Sequence, residues 1–264
     1  MRKRFSYLCF LLLPAGLLSA CNNSAGSPAD AAAPSPSTGV TGSGSDLYYQ
    51  YDLNGGSRLM KMDGSMKMYL AANGKVRMEM HMGMDVDANG KQLKERLPII
   101  LLGNSDNPTE TIDLDDSAKT LTRNHVDTAA LASSGMKIQS TVTKAGEDNI
   151  LGFHCVHAKI ISSHSIGAFY KQIDTIDLWK SNDVPVQPAF RHWMDQYQAR
   201  SNGFLYSPEI DAQLKQMGCE GMFVKMITHS KESAMTMALT KVEKKDLASG
   251  LFEIPSGYKE IKDN

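Results

Sequence analysis

Sixteen methionines stand in 264 residues, and eight of them fall between positions 60 and 84. They are Met60, Met62, Met66, Met68, Met78, Met80, Met82 and Met84, and all are even-numbered. A thioether is flexible and polarisable, so it suits an adaptable apolar lining, and it is also a soft ligand for Cu(I). Strand side chains repeat every two residues, so even positions within one strand share a face. Lys61, Asp63, Lys67, Arg77, Glu79 and His81 take the other face. Three uses fit this pattern: a core face built from methionine, a lining for a hydrophobic ligand, or Cu(I) capture by Met-x-Met pairs. Packing alone more often places Val, Ile or Phe on strands. A methionine face this long exceeds what one ion needs, and His81 points away from it. The lining assigns Met66, Met68, Met78, Met80 and Met82 to hydrophobic ligand binding.

Other reactive side chains assemble into less. His154-Cys155-Val156-His157 offers metal ligands, but on a strand only Cys155 and His157 share a side, and two ligands do not complete a tetrahedral zinc site. Asp113, Asp115 and Asp116 lie in a turn that lacks the glycine and distal glutamate of an EF-hand. His164 within Ser162-Ser163-His164-Ser165 reads as a polar loop. The chain holds no Gly-x-Ser-x-Gly elbow, His-Glu-x-x-His, P-loop or Gly-x-Gly-x-x-Gly. No catalytic residue, metal or cofactor is assigned, and the expectation is a protein that is not an enzyme.

The N-terminus reads as an address. Arg2, Lys3 and Arg4 precede an apolar run over residues 5–18, and Leu18-Ser19-Ala20-Cys21 closes it. The run is too short to span a bilayer and has the order of a signal peptide. Its end resembles the lipobox of bacterial lipoproteins. That resemblance implies cleavage before Cys21 and lipid attachment to its sulfur, a membrane anchor worth about 0.8 kcal/mol per buried CH₂. Asn22 and Asn23 follow where some inner-membrane lipoproteins carry Asp, which favours the outer membrane.

With Cys9 in the leader and Cys21 lipidated, Cys155 and Cys219 remain. In an oxidising compartment they form either a disulfide, the simpler expectation, or two buried free thiols. Residues 22–45, NNSAGSPADAAAPSPSTGVTGSGS, carry one charge and no aromatic side chain, so residues 21–45 are expected to be a lipidated Cys and disordered tether. Residues 46–264 then make a single β-rich domain. Without the leader, 25 basic residues face 29 acidic ones, a balance of −4 that gives no electrostatic drive toward nucleic acid.

The elements that must position these residues are mostly strands. Asn73-Gly74 separates two alternating runs, 66–70 and 76–82, as a hairpin turn would. A two-residue turn would set Met68 opposite Glu79. A three-residue bulged loop keeps the methionines on one face, with Met68 opposite Met80 and Met66 opposite Met82. Further strands are expected over 47–53, 97–102, 109–113, 118–123, 137–143, 153–162, 171–179, 221–229 and 233–243. Phe190, Trp193, Met194 and Tyr197 mark one face of a helix after Pro188. Ser207-Pro208 opens a second, with Ile210, Leu214 and Met217 on one stripe and Gly218 as its stop. A third is expected over 126–134. Antiparallel strands with a few helices on one face make an α+β architecture.

Leu151-Gly152-Phe153-His154-Cys155, Asp177-Leu178-Trp179-Lys180, the closing Leu251-Phe252-Glu253-Ile254-Pro255-Ser256-Gly257-Tyr258 and the methionine-rich hairpin resemble the domain-of-unknown-function 4412 family of bacterial envelope proteins. The resemblance runs from about residue 46 to 260. That family is similar to the periplasmic lipoprotein-carrier (LolA/LolB-like) superfamily. The similarity implies a curved antiparallel sheet, an unclosed half-barrel, with two or three helices on its concave face and acyl chains bound between. It implies no catalytic residue. The expected function is an envelope lipoprotein that holds a hydrophobic or acylated ligand, or a lipoprotein segment, in a methionine-lined concavity. The rivals are an envelope sensor or scaffold with a filled core and protein partners, and periplasmic Cu(I) binding.

Overall fold

A computed structural model describes residues 39–57, 60–88, 91–125, 136–166, 170–191, 193–194 and 208–261. Two antiparallel meanders meet side by side in one sheet. The first is β1 (Asp46–Ser57), β2 (Met60–Leu70), β3 (Lys75–Ala88), β4 (Lys91–Asn104), β5 (Glu110–Asp115) and β6 (Thr120–His125). The second is β7 (Met136–Ile150), β8 (Phe153–Ile166), β9 (Tyr170–Ser181), β10 (Met222–His229) and β11 (Ser233–Lys245). β1 pairs with β11 along its whole length and so joins them. β12 (Lys259–Glu260) extends the far end by pairing with β6 in parallel. The order β12-β6-β5-β4-β3-β2-β1-β11-β10-β9-β8-β7 leaves the sheet unclosed among the described residues.

The β2–β3 turn sets the geometry of the methionines. Ala71 N–H donates to Lys75 O at 2.9 Å and Gly74 N–H to Ala71 O at 3.0 Å, so Ala72-Asn73-Gly74 is a three-residue loop. Gly74 has φ 84°, the left-handed conformation that ends a type I turn with a glycine bulge. The loop length is the expected one, but the pairing is shifted by two residues: Met68 faces Met78 and Met66 faces Met80. The extra loop residue is Ala72, ahead of Asn73, whereas the expected register placed it after Gly74. A shift of two leaves every side chain on its face.

The boundary at residue 46 moves. Residues 39–45, assigned to the tether by composition, are bonded to the sheet: Gly39 N–H donates to Leu151 O, Thr41 N–H to Val242 O and Lys244 N–H to Thr41 O. Asp46 then ties three segments together. Its carboxylate accepts from Ala72 N–H and from Leu247 N–H, each at 2.8 Å.

A helix among the described residues is α1 (Pro208–Gln216). Cys219 N–H returns to Leu214 O and Gly218 N–H to Lys215 O, the paired bonds of a Schellman stop with Gly218 at φ 73°. Ile210 and Leu214 are buried against Val142, Ala158, Ile160, Ile176 and Leu178 of β7–β9. Residues 188–191 and 193–194 are helical, and Phe190 and Trp193 are buried in a larger cluster with Tyr49, Tyr51, Met68 and Leu101. The helix expected over 126–134 and the leader, with Cys21, lie outside the described residues.

The disulfide is not made. Cys155 and Cys219 are both free and buried. Cys155 Sγ donates to Phe153 O and Cys219 Sγ to Val156 O, each at 3.4 Å. Cys219 packs with Ala158 and Ile160, which have the opposite parity to Cys155 along β8.

After β11 the chain forms a strap. A short 3₁₀ turn (Ser249–Phe252) accepts Arg77 Nη1 at Leu251 O, 3.1 Å. Ile254 and Tyr258 then pack on Leu102, Leu114 and Leu121, and Lys259 N–H reaches Lys119 O. The Phe-Glu-Ile-Pro-Ser-Gly-Tyr motif is thus a structural clasp across β3–β6.

Candidate functional site

The ladder register assembles the methionines into rows that cross several strands. Met78 and Met68 face each other and continue to Tyr49 on β1. Met80 and Met66 continue to Tyr51 and then Leu239 on β11. In the next row Met82 faces Gly64, followed by Leu53, Met237 and Met226. A further row runs Met84, Met62, Gly55, Met235. The thioether face therefore extends beyond the hairpin. Met235 and Met237 belong to it, although they lie some 170 residues further along the chain. The sequence signal was the Met-Thr-Met repeat at 235–237, which becomes meaningful only once β11 is known to pair with β1.

The two ends of this face differ. Near the turn it is filled. Met66 and Met68 are 6% and 2% exposed and pack with Tyr49, Tyr51, Phe190 and Trp193. The phenols there are satisfied: Tyr49 Oη–H donates to Pro185 O, and Tyr51 Oη–H to Phe223 O at 3.1 Å. Away from the turn, Met60, Met62, Met80, Met84, Met235 and Met237 are half-buried. Met78 is half-buried as well, and Met82 is 9% exposed. Gly55 and Gly64 break the side-chain rows in this outer part. Gly64 is required there, since a Cβ would come within 2.2 Å of His81 O.

The opposite face is polar but not open. Arg77 pairs with Glu79 at 2.7 Å, with side chains only 12% and 16% exposed. Tyr69 stands beside Tyr48, ring centroids 5.2 Å apart, and Lys245 Nζ lies 3.8 Å from the Tyr48 ring centre. Burial, with Glu79 adding to it, pushes the Tyr69 phenol up to about 12. His81 is exposed on this side and takes no part in the methionine face.

The remaining candidates are satisfied by their neighbours. His157 bonds Asp177 at 2.8 Å and stacks on Trp179 at 3.9 Å, while Trp179 Nε1–H donates to Asp148 at 2.6 Å. His154 meets Glu147 at 3.2 Å on the surface. Desolvation pushes the Cys155 thiol up to about 11 and raises Cys219 too, so neither is an activated nucleophile. Asp115 accepts from Ser117 Oγ and Ala118 N–H, closing its own turn. Among the described residues, no group of three or more His, Cys, Asp and Glu side chains converges as a metal site. Nor is any helix there long and apolar enough to cross a membrane.

An unclosed, antiparallel-dominated sheet with few helices is the class of fold this chain adopts. Its shape has distant likenesses among solved structures. LprF from Mycobacterium bovis is 10% identical, with 81% of this chain and 90% of that one aligned at a TM-score of 0.33. A beta-barrel-like protein of domain of unknown function DUF1849 from Brucella abortus is 9% identical, covering 77% and 99% at 0.32. The LolA superfamily protein NE2245 from Nitrosomonas europaea is 8% identical, covering 79% and 90% at 0.29. Likenesses this remote carry no assignment. A comparison with curated proteins finds no match. Residues 57–258 match the family described as a domain of unknown function, DUF4412, and the chain belongs to that family.

Proposed function

We propose that this protein is a non-enzymatic lipoprotein of the bacterial envelope, anchored through lipid on Cys21, that holds a hydrophobic or acylated ligand against the outer part of its methionine face. The observation that carries the reading is the contrast within that face. The turn end is closed by aromatic side chains, whereas in the outer part Met60, Met62, Met84 and Met235 are half-buried, Met80 and Met237 are half-buried against the edge of the core, and Met82 is buried. Unbranched thioethers adapt to a chain of variable shape better than branched side chains do. Gly55 and Gly64 interrupt the rows of side chains. In this reading the methionine face is the concave side of the sheet, and Met66, Met68 and Met78 form the floor beneath Met80 and Met82.

One preparation tests both halves of the proposal. The full chain is purified from membranes, its organic extract is analysed by mass spectrometry, and its N-terminal peptide is weighed. The expected outcome is a stoichiometric acyl-chain compound together with a diacylglyceryl-modified Cys21. An extract free of lipid at the protein's molar concentration contradicts ligand binding. An unmodified Cys21 contradicts the anchor.

A further inference from the structure

We propose that Met62, Met66, Met82 and Met84, arranged around Gly64, form a binding site for Cu(I). Gly64 has no side chain, and the ladder surrounds it with sulfur. Met82 lies directly across on β3, Met62 and Met66 flank it two residues away on β2, and Met84 faces Met62. Directly opposed strand residues have Cβ atoms about 4.5–5.5 Å apart, and residues two apart along a strand are about 6.5 Å apart. Each side chain is long and has three rotatable bonds, so several thioethers can lean toward one point over the glycine. The position must be glycine, because a Cβ on Gly64 would meet His81 O at 2.2 Å. Met66 and Met82 are buried beneath it, while Met62 and Met84 are half-buried and leave a way in.

The ligand chemistry selects the ion. Thioethers are neutral and soft, which favours monovalent copper over Zn²⁺, Mg²⁺ or Ca²⁺. They have no proton to lose, so binding releases none. Affinity at such a site stays constant across the pH range in which histidine or cysteine sites weaken. His81 is on the opposite face, and the Cys155 and Cys219 thiols donate to the Phe153 and Val156 carbonyls of β8, so the site draws on sulfur from methionine alone. Met62 and Met84 also belong to the surface proposed for a hydrophobic ligand, and substitution separates the two uses. Leucine in place of methionine preserves an apolar face while removing the sulfur.

The test is an anaerobic titration of the full chain with Cu(I) against a colorimetric chelator of known affinity. It is run at pH 5.5 and pH 8 on the wild type, Met62→Leu/Met84→Leu and Met222→Leu, each with its thermal unfolding measured. The proposal expects the wild type to take up a single ion with the same affinity at both pH values. It expects the double variant to weaken roughly tenfold or more while staying folded, and Met222→Leu, outside the ring, to bind as the wild type does. Failure of the wild type to compete, an unchanged affinity in the folded double variant, or a marked loss at the lower pH would each overturn it. If the double variant does not fold, Met84→Leu alone replaces it, judged by the same criterion. Retention of an acyl ligand by the leucine variants speaks to the other proposal and leaves this outcome unaffected.

Discussion

Two parts of the same sheet bury apolar side chains in different ways. Under α1, the strands β7–β9 present Val142, Ala158, Ile160, Ile176 and Leu178, which are at most 5% exposed. On β2, β3 and β11 the corresponding side chains are methionines, and away from the hairpin turn all but the buried Met82 are half-buried. The first region has compact and mostly branched residues facing Ile210 and Leu214 of a helix that ends in a Schellman stop. Its shape is fixed. The second has unbranched residues interrupted by Gly55 and Gly64. Side-chain choice follows the partner: a permanent neighbour favours stiff, complementary shapes, and an occupant that comes and goes favours soft ones.

The largest expected effect separates the two regions by stability. Leu214→Ala removes a fully buried side chain from the helix–sheet contact and should cost about 2–5 kcal/mol. Met84→Ala should cost about 1 kcal/mol or less, because its site is already partly open. Urea denaturation of both variants checks this. Equal losses would mean that the outer methionines are as tightly packed as the α1 contact, which would remove the contrast.

A smaller effect comes from pH. Cys155, pushed up to about 11 by burial, and Cys219, raised for the same reason, both have an ordinary value of 9.0 in the unfolded chain. As pH rises above 9 the unfolded chain loses these protons first. The folded state then binds more protons, and stability falls until the folded thiols titrate in turn. Below pH 9 the thiols contribute no slope. Buried phenols at Tyr49 and Tyr69 add to the fall at higher pH. Urea midpoints between pH 8 and 11 should decline, and Cys155→Ala should flatten the first part of the decline. The methionine face has no proton to give, so its occupancy should not follow this curve.

Much of this arrangement is legible in the residues. Alternation locates the strands, Asn73-Gly74 locates the hairpin, the cost of burying Glu79 among the methionines selects a three-residue loop, and Pro208 and Gly218 bracket α1. Parity within each strand, together with a three-residue loop, puts Met66, Met68, Met78, Met80 and Met82 on one face. The exact register did not follow, because a bulged loop can take its extra residue on either side of Asn-Gly with no change in parity. Residues 39–45 looked like tether because their pairing with Val242 and Lys244 uses backbone groups, which composition does not report. Met235 and Met237 join the face through a pairing of strands nearly two hundred residues apart, beyond the reach of any local pattern. The terminal motif marked the family, but its role as a clasp on Leu102, Leu114 and Leu121 needed the fold. Cysteine counting favoured a disulfide, yet strand parity places Cys155 away from the cluster that holds Cys219.

The proposed function sets a binding surface of outer methionines against a core of those near the turn. Methionine methyl groups report this directly by NMR when the delipidated full chain, labelled at the methyl carbon, is titrated with a long-chain fatty acid. Saturable shifts are expected at Met60, Met62, Met80, Met84, Met235 and Met237, with Met68, Met222 and Met226 nearly unmoved. No saturable shift, or shifts largest at Met222 and Met226, would contradict it.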